Sequence, residues 1–166
     1  MPEKEKIFSS EVRYRLATAE DASRLIPMIN AAFAVEEFLE GTRTDPSRLA
    51  AAMAKGPILI AESPAGDLLG SLSMELRGKR GYLGMLAVHP AHQKRGLAHL
   101  MTDEATRRLR EAGCSEAEIV VLNLRTELHP IYRSWGFVAD GTEECLCGRT
   151  VKDGVEVHGI VMVKQI

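Results

Sequence analysis

Apolar positions recur along this chain with two periods, and the switches between them lay out the elements. Val12, Tyr14 and Leu16 alternate with Arg13 and Arg15, the pattern of a half-buried strand. Thr18, followed three residues later by Asp21, has the form of a capping box, and Ala22, Leu25, Ile26, Ile29 and Phe33 then mark one face of a helix. Pro27 falls inside that stripe; an interior proline costs about 3 kcal/mol, so a kink or break is expected there. Gly41 and Thr42 interrupt the helical signal, Asp45-Pro46 restarts it as N-cap and first helical residue, and Gly56 closes a second short helix. Residues 57–62 and 68–76 read as strands joined by the turn Ser63 to Asp67. A further turn, Arg77 to Gly81, leads into a third strand and completes an antiparallel meander.

That third strand, Tyr82 to Val88, ends at His89-Pro90, where the chain loses an amide that a ladder needs. From Gly96 the period changes: Leu97, Met101, Ala105 and Leu109 form the apolar stripe of a helix that closes at Gly113. This helix is a crossover, and Ile119 to Leu124 should return parallel to Tyr82–Val88 in the right-handed sense. His129-Pro130 opens a short helical stretch holding Ile131, Tyr132 and Trp135, ended by Gly136. A strand from Phe137 to about Cys147, a turn at Lys152-Asp153-Gly154 and a last strand from Val155 to Val163 follow. The expected fold class is α+β: a mixed, mostly antiparallel central sheet with flanking helices.

Composition narrows the field of functions. A chain of 166 residues with 45% hydrophobic content suits a single domain with its own core, here residues 11–166 behind a charged, flexible end at residues 1–10. A net charge of −2 argues against a general nucleic-acid binder. Three cysteines and no secretory leader point to a reducing compartment, and no apolar run approaches the roughly 18 residues of a membrane span. A cytoplasmic protein without membrane contact is expected.

The chemistry concentrates where the central strand hands over to the long helix. A helix start has backbone amides without partners and the positive end of the peptide dipoles, so Gln93-Lys94-Arg95-Gly96-Leu97-Ala98 forms a candidate anion site. Gly96 and the small Ala98 allow close approach, and Lys94 and Arg95 add charge. A phosphate or pyrophosphate matches best.

These residues resemble the acetyl-CoA pyrophosphate signature of the GNAT superfamily of N-acyltransferases, Q/R-x-x-G-x-G/A after a strand. A second block, Tyr132-Arg133-Ser134-Trp135-Gly136-Phe137, resembles the family's Y-x-x-x-G-F signature. The resemblance runs from about Val12 to the C-terminus and implies acetyl-CoA as cosubstrate and a primary amine as acceptor. It places the pyrophosphate on Gln93, Lys94, Arg95, Gly96, Leu97 and Ala98, and the pantetheine on the strand edge at Leu86, Ala87 and Val88. Asn123 is an expected side-chain contact from the opposite strand. Tyr132 is implied beside the sulfur as general acid, since a phenol near pKa 10 is protonated at neutral pH.

The family's glutamate base would fall at Tyr82, a poor base, so Glu75, His89, Glu36, Glu37 or water are the candidates. Arg125 stands where the family often has asparagine, placed to touch cofactor or an acidic acceptor, or to pair with Glu127. The segment flanking the acceptor cleft offers Phe33, Glu36, Glu37, Phe38, Glu40 and Arg43. No metal is expected: His89, His92, Cys145 and Cys147 lack the spacing of a structural zinc site. The alternative to an enzyme is a non-catalytic acyl-CoA-binding regulatory module.

Overall fold

Alternation and turn chemistry lead to one seven-stranded sheet, in a computed structural model that describes residues 3–144 and 149–166. The strands are β1 (Arg13–Leu16), β2 (Ile58–Glu62), β3 (Leu68–Arg77), β4 (Arg80–Val88), β5 (Glu116–Leu122), β6 (Val138–Glu143) and β7 (Gly159–Gln165). Their order is β1-β2-β3-β4-β5-β7-β6. β4 and β5 are parallel, and every other neighbouring pair is antiparallel. The helices are α1 (Ala22–Phe33), α2 (Pro46–Lys55), α3 (Leu97–Glu111) and α4 (Leu128–Ser134).

Both faces of the sheet are covered. On one, Leu97, Met101, Ala105 and Leu109 of α3 pack on Leu59, Leu72, Leu83, Ala117 and Ile119, the stripe expected from the sequence. The docking is close because residue 81 is glycine: a Cβ there would lie 2.5 to 2.9 Å from the Leu109 side chain. On the other face, Leu25 and Ile29 of α1 and Leu49 of α2 cover Ile58, Ile60, Met85 and Ala87.

The capping residues act as expected. The Asp21 carboxylate accepts from the Thr18 amide at 2.8 Å, and Asp45 caps α2 through the Arg48 amide at 2.8 Å. Asp21 also takes a two-pronged bond from Arg15, at 2.7 and 2.9 Å, which with the Thr18 amide holds it far below the usual carboxylate range against its burial.

Several expectations are corrected. Helix α1 is not broken at Pro27: it runs from Ala22 to Phe33 with the proline inside it, which removes the one bond its amide would have given the Ser23 carbonyl. The last strand begins at Gly159, not Val155, because the Asn123 side chain holds the preceding segment: it donates to the Glu156 carbonyl at 3.2 Å and accepts from the His158 amide at 2.9 Å. β5 correspondingly ends at Leu122. The charged N-terminal segment is anchored at Ile7, which is 3% exposed and donates its amide to the Arg95 carbonyl at 2.9 Å. Cys145 and Cys147 lie outside the described residues.

Candidate active site

β4 and β5 pair only from Arg80–Glu116 to Leu83–Ile119. Beyond Leu83, β4 continues against β3 to Val88, while β5 continues against β7 to Leu122, so the two parallel strands part. The divergence starts at a bulge. The β3–β4 register slips by one residue between Ser73–Gly84 and Ser71–Ala87, and Met85 takes a left-handed φ of 46°. A glycine inside a strand pattern, here Gly84, was the sequence signal for it.

Backbone direction follows from the register. The His89 amide donates to Leu69 of β3 at 2.8 Å, so by alternation the groups of Ala87 turn to β3 and those of Leu86 and Val88 to the opened side. Ala87, 1% exposed, is therefore removed from the expected backbone contacts. Consistently, the Val88 carbonyl accepts from the Gln93 side chain at 3.1 Å, a bond that ties the strand end to the loop.

The loop itself turns through two left-handed residues, Lys94 at φ 62° and Gly96 at φ 84°, and enters α3 without a side-chain cap. The space above Gly96 is a cradle: among the described residues a Cβ there would find only the Lys6 methylenes, at 3.7 and 3.9 Å. Leu97 faces the core, whereas Lys94 and Gly96 are exposed and Ala98 is half-buried. Arg95 is not aimed freely at this cradle, because it donates to the Glu5 carbonyl at 2.7 Å and to His92 Nδ1 at 3.1 Å. Nothing in the spacing of the loop foretold that residues 5–7 would fold back over it.

Tyr132 stands on α4, among the partly buried side chains that pack on the core beneath α3. It packs on the same hydrophobic cluster as Leu86 and Val88, and its ring meets Trp135 and Phe137 edge to face at 5.2 and 6.2 Å. Trp135 in turn stacks on His99 in the first turn of α3, 4.7 Å between rings, which fixes α4 against the helix start. Burial pushes the Tyr132 phenol up to about 12, opposed by the charge of Arg125. Its hydroxyl has no hydrogen-bond partner among the described residues.

The other expected side chains are distributed differently. Asn123 is engaged at both ends by the 156–158 backbone, so its side chain is withdrawn from the cofactor. Glu36 is buried between two arginines, Arg125 at 2.9 Å and Arg149 at 3.1 Å, and Arg125 also holds Glu127 at 2.6 Å. These ion pairs join the 36–41 loop to the start of α4, and they remove Glu36 and Arg125 from the roles of base and ligand contact. His89 Nδ1 accepts from the Ala91 amide at 3.1 Å. Glu40 accepts from the Thr150 hydroxyl at 2.9 Å.

A pocket of about 400 Å³ lies on the α2 face against β3 and β4, reaching the bulge at Gly84 and Met85. Glu75, a candidate base, and Arg43, a candidate acceptor contact, line it; Lys55 and Ser73 line it too, and no motif marked them. Among the described residues no three His, Cys, Asp or Glu side chains converge as a metal site, and no helix is long and apolar enough to cross a membrane.

A mixed sheet opened between two parallel strands, with an uncapped helix start beside the gap, is the architecture of the acyltransferases whose signatures the sequence resembles. The family model "Acetyltransferase (GNAT) domain" matches residues 18–162, and the chain belongs to this family of enzymes. Solved structures share the fold at low identity. yncA from Salmonella typhimurium, solved with its cofactor acetyl-CoA, is 22% identical over 93% of each chain with a TM-score of 0.72. The paia N-acetyltransferase from Thermoplasma acidophilum, in complex with coenzyme A, is 15% identical over 93% of this chain and 99% of its own, TM-score 0.72. Ribosomal-protein-alanine N-acetyltransferase from Brucella melitensis is 20% identical over 93% and 99%, TM-score 0.73. No curated protein sequence matches the chain.

Proposed function

We propose that this protein transfers the acetyl group of acetyl-CoA to a primary amine by direct attack in a ternary complex. The observation that carries the reading is the opened β4–β5 pair ending at the start of α3, where no side chain among the described residues caps the helix amides. The cradle above Gly96 fits a diphosphate, which the α3 amides and Lys94 would hold, with Gln93 fixing the loop to Val88. The edge of Leu86 and Val88 would hold the pantetheine amides as an added strand would.

The bound thioester supplies an activated acetyl carbon. The amine lone pair forms the new C–N bond as the C–S bond breaks. Tyr132, kept protonated by its surroundings, donates its proton to the departing sulfur, and the amine loses a proton to water or a nearby carboxylate. Of the carboxylates expected as bases, Glu75 lines the acceptor pocket while Glu36 is locked in ion pairs. Holding both reactants in place supplies much of the rate, roughly 7–11 kcal/mol for well-aligned groups.

Titration calorimetry with coenzyme A tests the site. Wild type should bind, and Gly96→Glu should lose at least tenfold in affinity, the side chain filling the cradle and placing a carboxylate at a helix start that attracts anions. Circular dichroism should show the variant folded. Equal affinity in the two proteins would overturn the assignment of the diphosphate to this loop.

A further inference from the structure

We propose that the acceptor is an amino carboxylate, a small molecule carrying its own carboxylate beside the amine, recognised by Arg43 with Lys55 as the second cation. The inference rests on the acetyltransferase reading and concerns the pocket on the α2 face, lined by Arg43, Lys55, Glu75, Tyr82, Gly84 and Met85 among others. Its charges divide into those the fold has satisfied and those it has not. Arg48 holds Asp45 at 2.9 Å, and Arg77 holds Glu75 at 3.2 Å and Glu118 at 3.4 Å while lying 4.0 Å over the Tyr82 ring. Arg43 and Lys55 have no carboxylate within ion-pair distance among the described residues.

Arg43 is the more informative of the two because it is half-buried and held in place. Its guanidinium carbon lies 5.1 Å from the Phe33 ring centre, and its donors have no hydrogen bond among the described residues. The backbone beneath is pinned. Asn30 donates to the Thr44 carbonyl at 3.1 Å and accepts from the Thr44 amide at 2.9 Å, and Arg48 donates to the Arg43 carbonyl at 3.2 Å. Partial burial of a charge without a partner is unfavourable, and a planar fork fixed in this way matches a carboxylate.

Glu75 completes the pattern. It lines the same pocket from β3, where Arg77 also holds it at 3.2 Å, and Glu143 of β6 lines the pocket too, so the cavity offers cations from the α2 side and carboxylates from the sheet strands. A zwitterion fits that dipole, with its carboxylate at Arg43 and its amine toward Glu75 and the opened strands. A polyamine would meet Arg43 and Lys55 with like charge. A volume of about 400 Å³ suits a molecule of amino-acid size.

The test compares free amino acids with their carboxamides, which keep size and amine and lose the charge, by release of the coenzyme A thiol. Wild type should prefer the acid in kcat/KM by about tenfold or more, the worth of a charge-assisted bond. Arg43→Ala should reduce that preference to within about threefold by raising KM more than it lowers kcat, and Arg43→Lys should restore it only in part. Calorimetry on the CoA-loaded protein, with the same amino acids up to about 10 mM, above the usual KM range, gives a readout independent of turnover. Carboxamides acetylated as well as acids, a preference unchanged in Arg43→Ala, or no amino acid bound or acetylated would each overturn the proposal. If coenzyme A binds and neutral amines are acetylated without preference, this proposal fails alone; if coenzyme A does not bind, the acetyltransferase reading fails with it.

Discussion

From Arg80 to Leu83, β4 is flanked by β3 on one side and β5 on the other; from Gly84 to Val88 only β3 remains. Side chains follow the same division. At the paired end, Arg80 binds Glu116, Glu118 and Asp140 at 2.9, 3.0 and 3.3 Å, and Arg77 reaches Glu118. A pocket of about 390 Å³ lies there, lined by Arg80, Glu116, Asp140 and Lys164, and its principal charges already answer one another. A pocket of nearly the same size runs from Tyr82 to the bulge at Gly84 and Met85, and there Arg43 and Lys55 have no ion pair among the described residues. Volume does not separate the two. What separates them is where the chain leaves backbone and charge unanswered, because a ligand that pairs those groups recovers free energy the fold has not used.

The comparison breaks most severely at Gly81. Gly81→Val forces a side chain into Leu109 in the tightly paired half and should cost about 3 kcal/mol, read as a lower urea midpoint. A midpoint within error of wild type would mean that α3 is free to shift, and that the close docking is not what holds the paired half.

Next comes Tyr132. Under the proposed mechanism Tyr132→Phe should lower turnover about 100-fold with coenzyme A affinity unchanged. Because burial raises the phenol to about 12, the proton-bearing form persists through pH 10, where a free phenol would be half ionised. The same raised value gives the sign for stability: its contribution is complete below about pH 10 and is lost as pH rises toward 12. An alkaline loss of kcat centred well below pH 10 would assign the limb to another group.

The smallest effect is expected at Glu118, 6% exposed between Arg77 and Arg80. Both arginines are partly solvated, so Glu118→Gln should cost about 1 kcal/mol by thermal or urea unfolding, and coenzyme A binding should not change. A matching loss in coenzyme A affinity would show that the two halves are coupled and not separate in function.

Much of the fold was legible because it rests on local chemistry. The α3 stripe, the Asp45-Pro46 helix start, the meander turns and the Gly96 entry are each set within a few residues by periodicity, capping or backbone freedom. The ion pairs of Glu36 were not legible: Arg125 and Arg149 lie 89 and 113 residues away in sequence, so an acid that reads as a solvated or catalytic carboxylate is a buried strut. The same holds for Asn123, whose partners at 156 and 158 belong to the strand entry across the sheet.

By itself, then, the sequence determined the order of the elements, the class of sheet and the loop and tyrosine signatures, because backbone sterics, caps and apolar periods act at short range. The tertiary structure alone decided which charges are satisfied, how far β4 and β5 stay together, and that residues 5–7 lie over the anion loop. These depend on which distant groups meet, and a side chain's availability for chemistry is whatever those meetings leave unpaired.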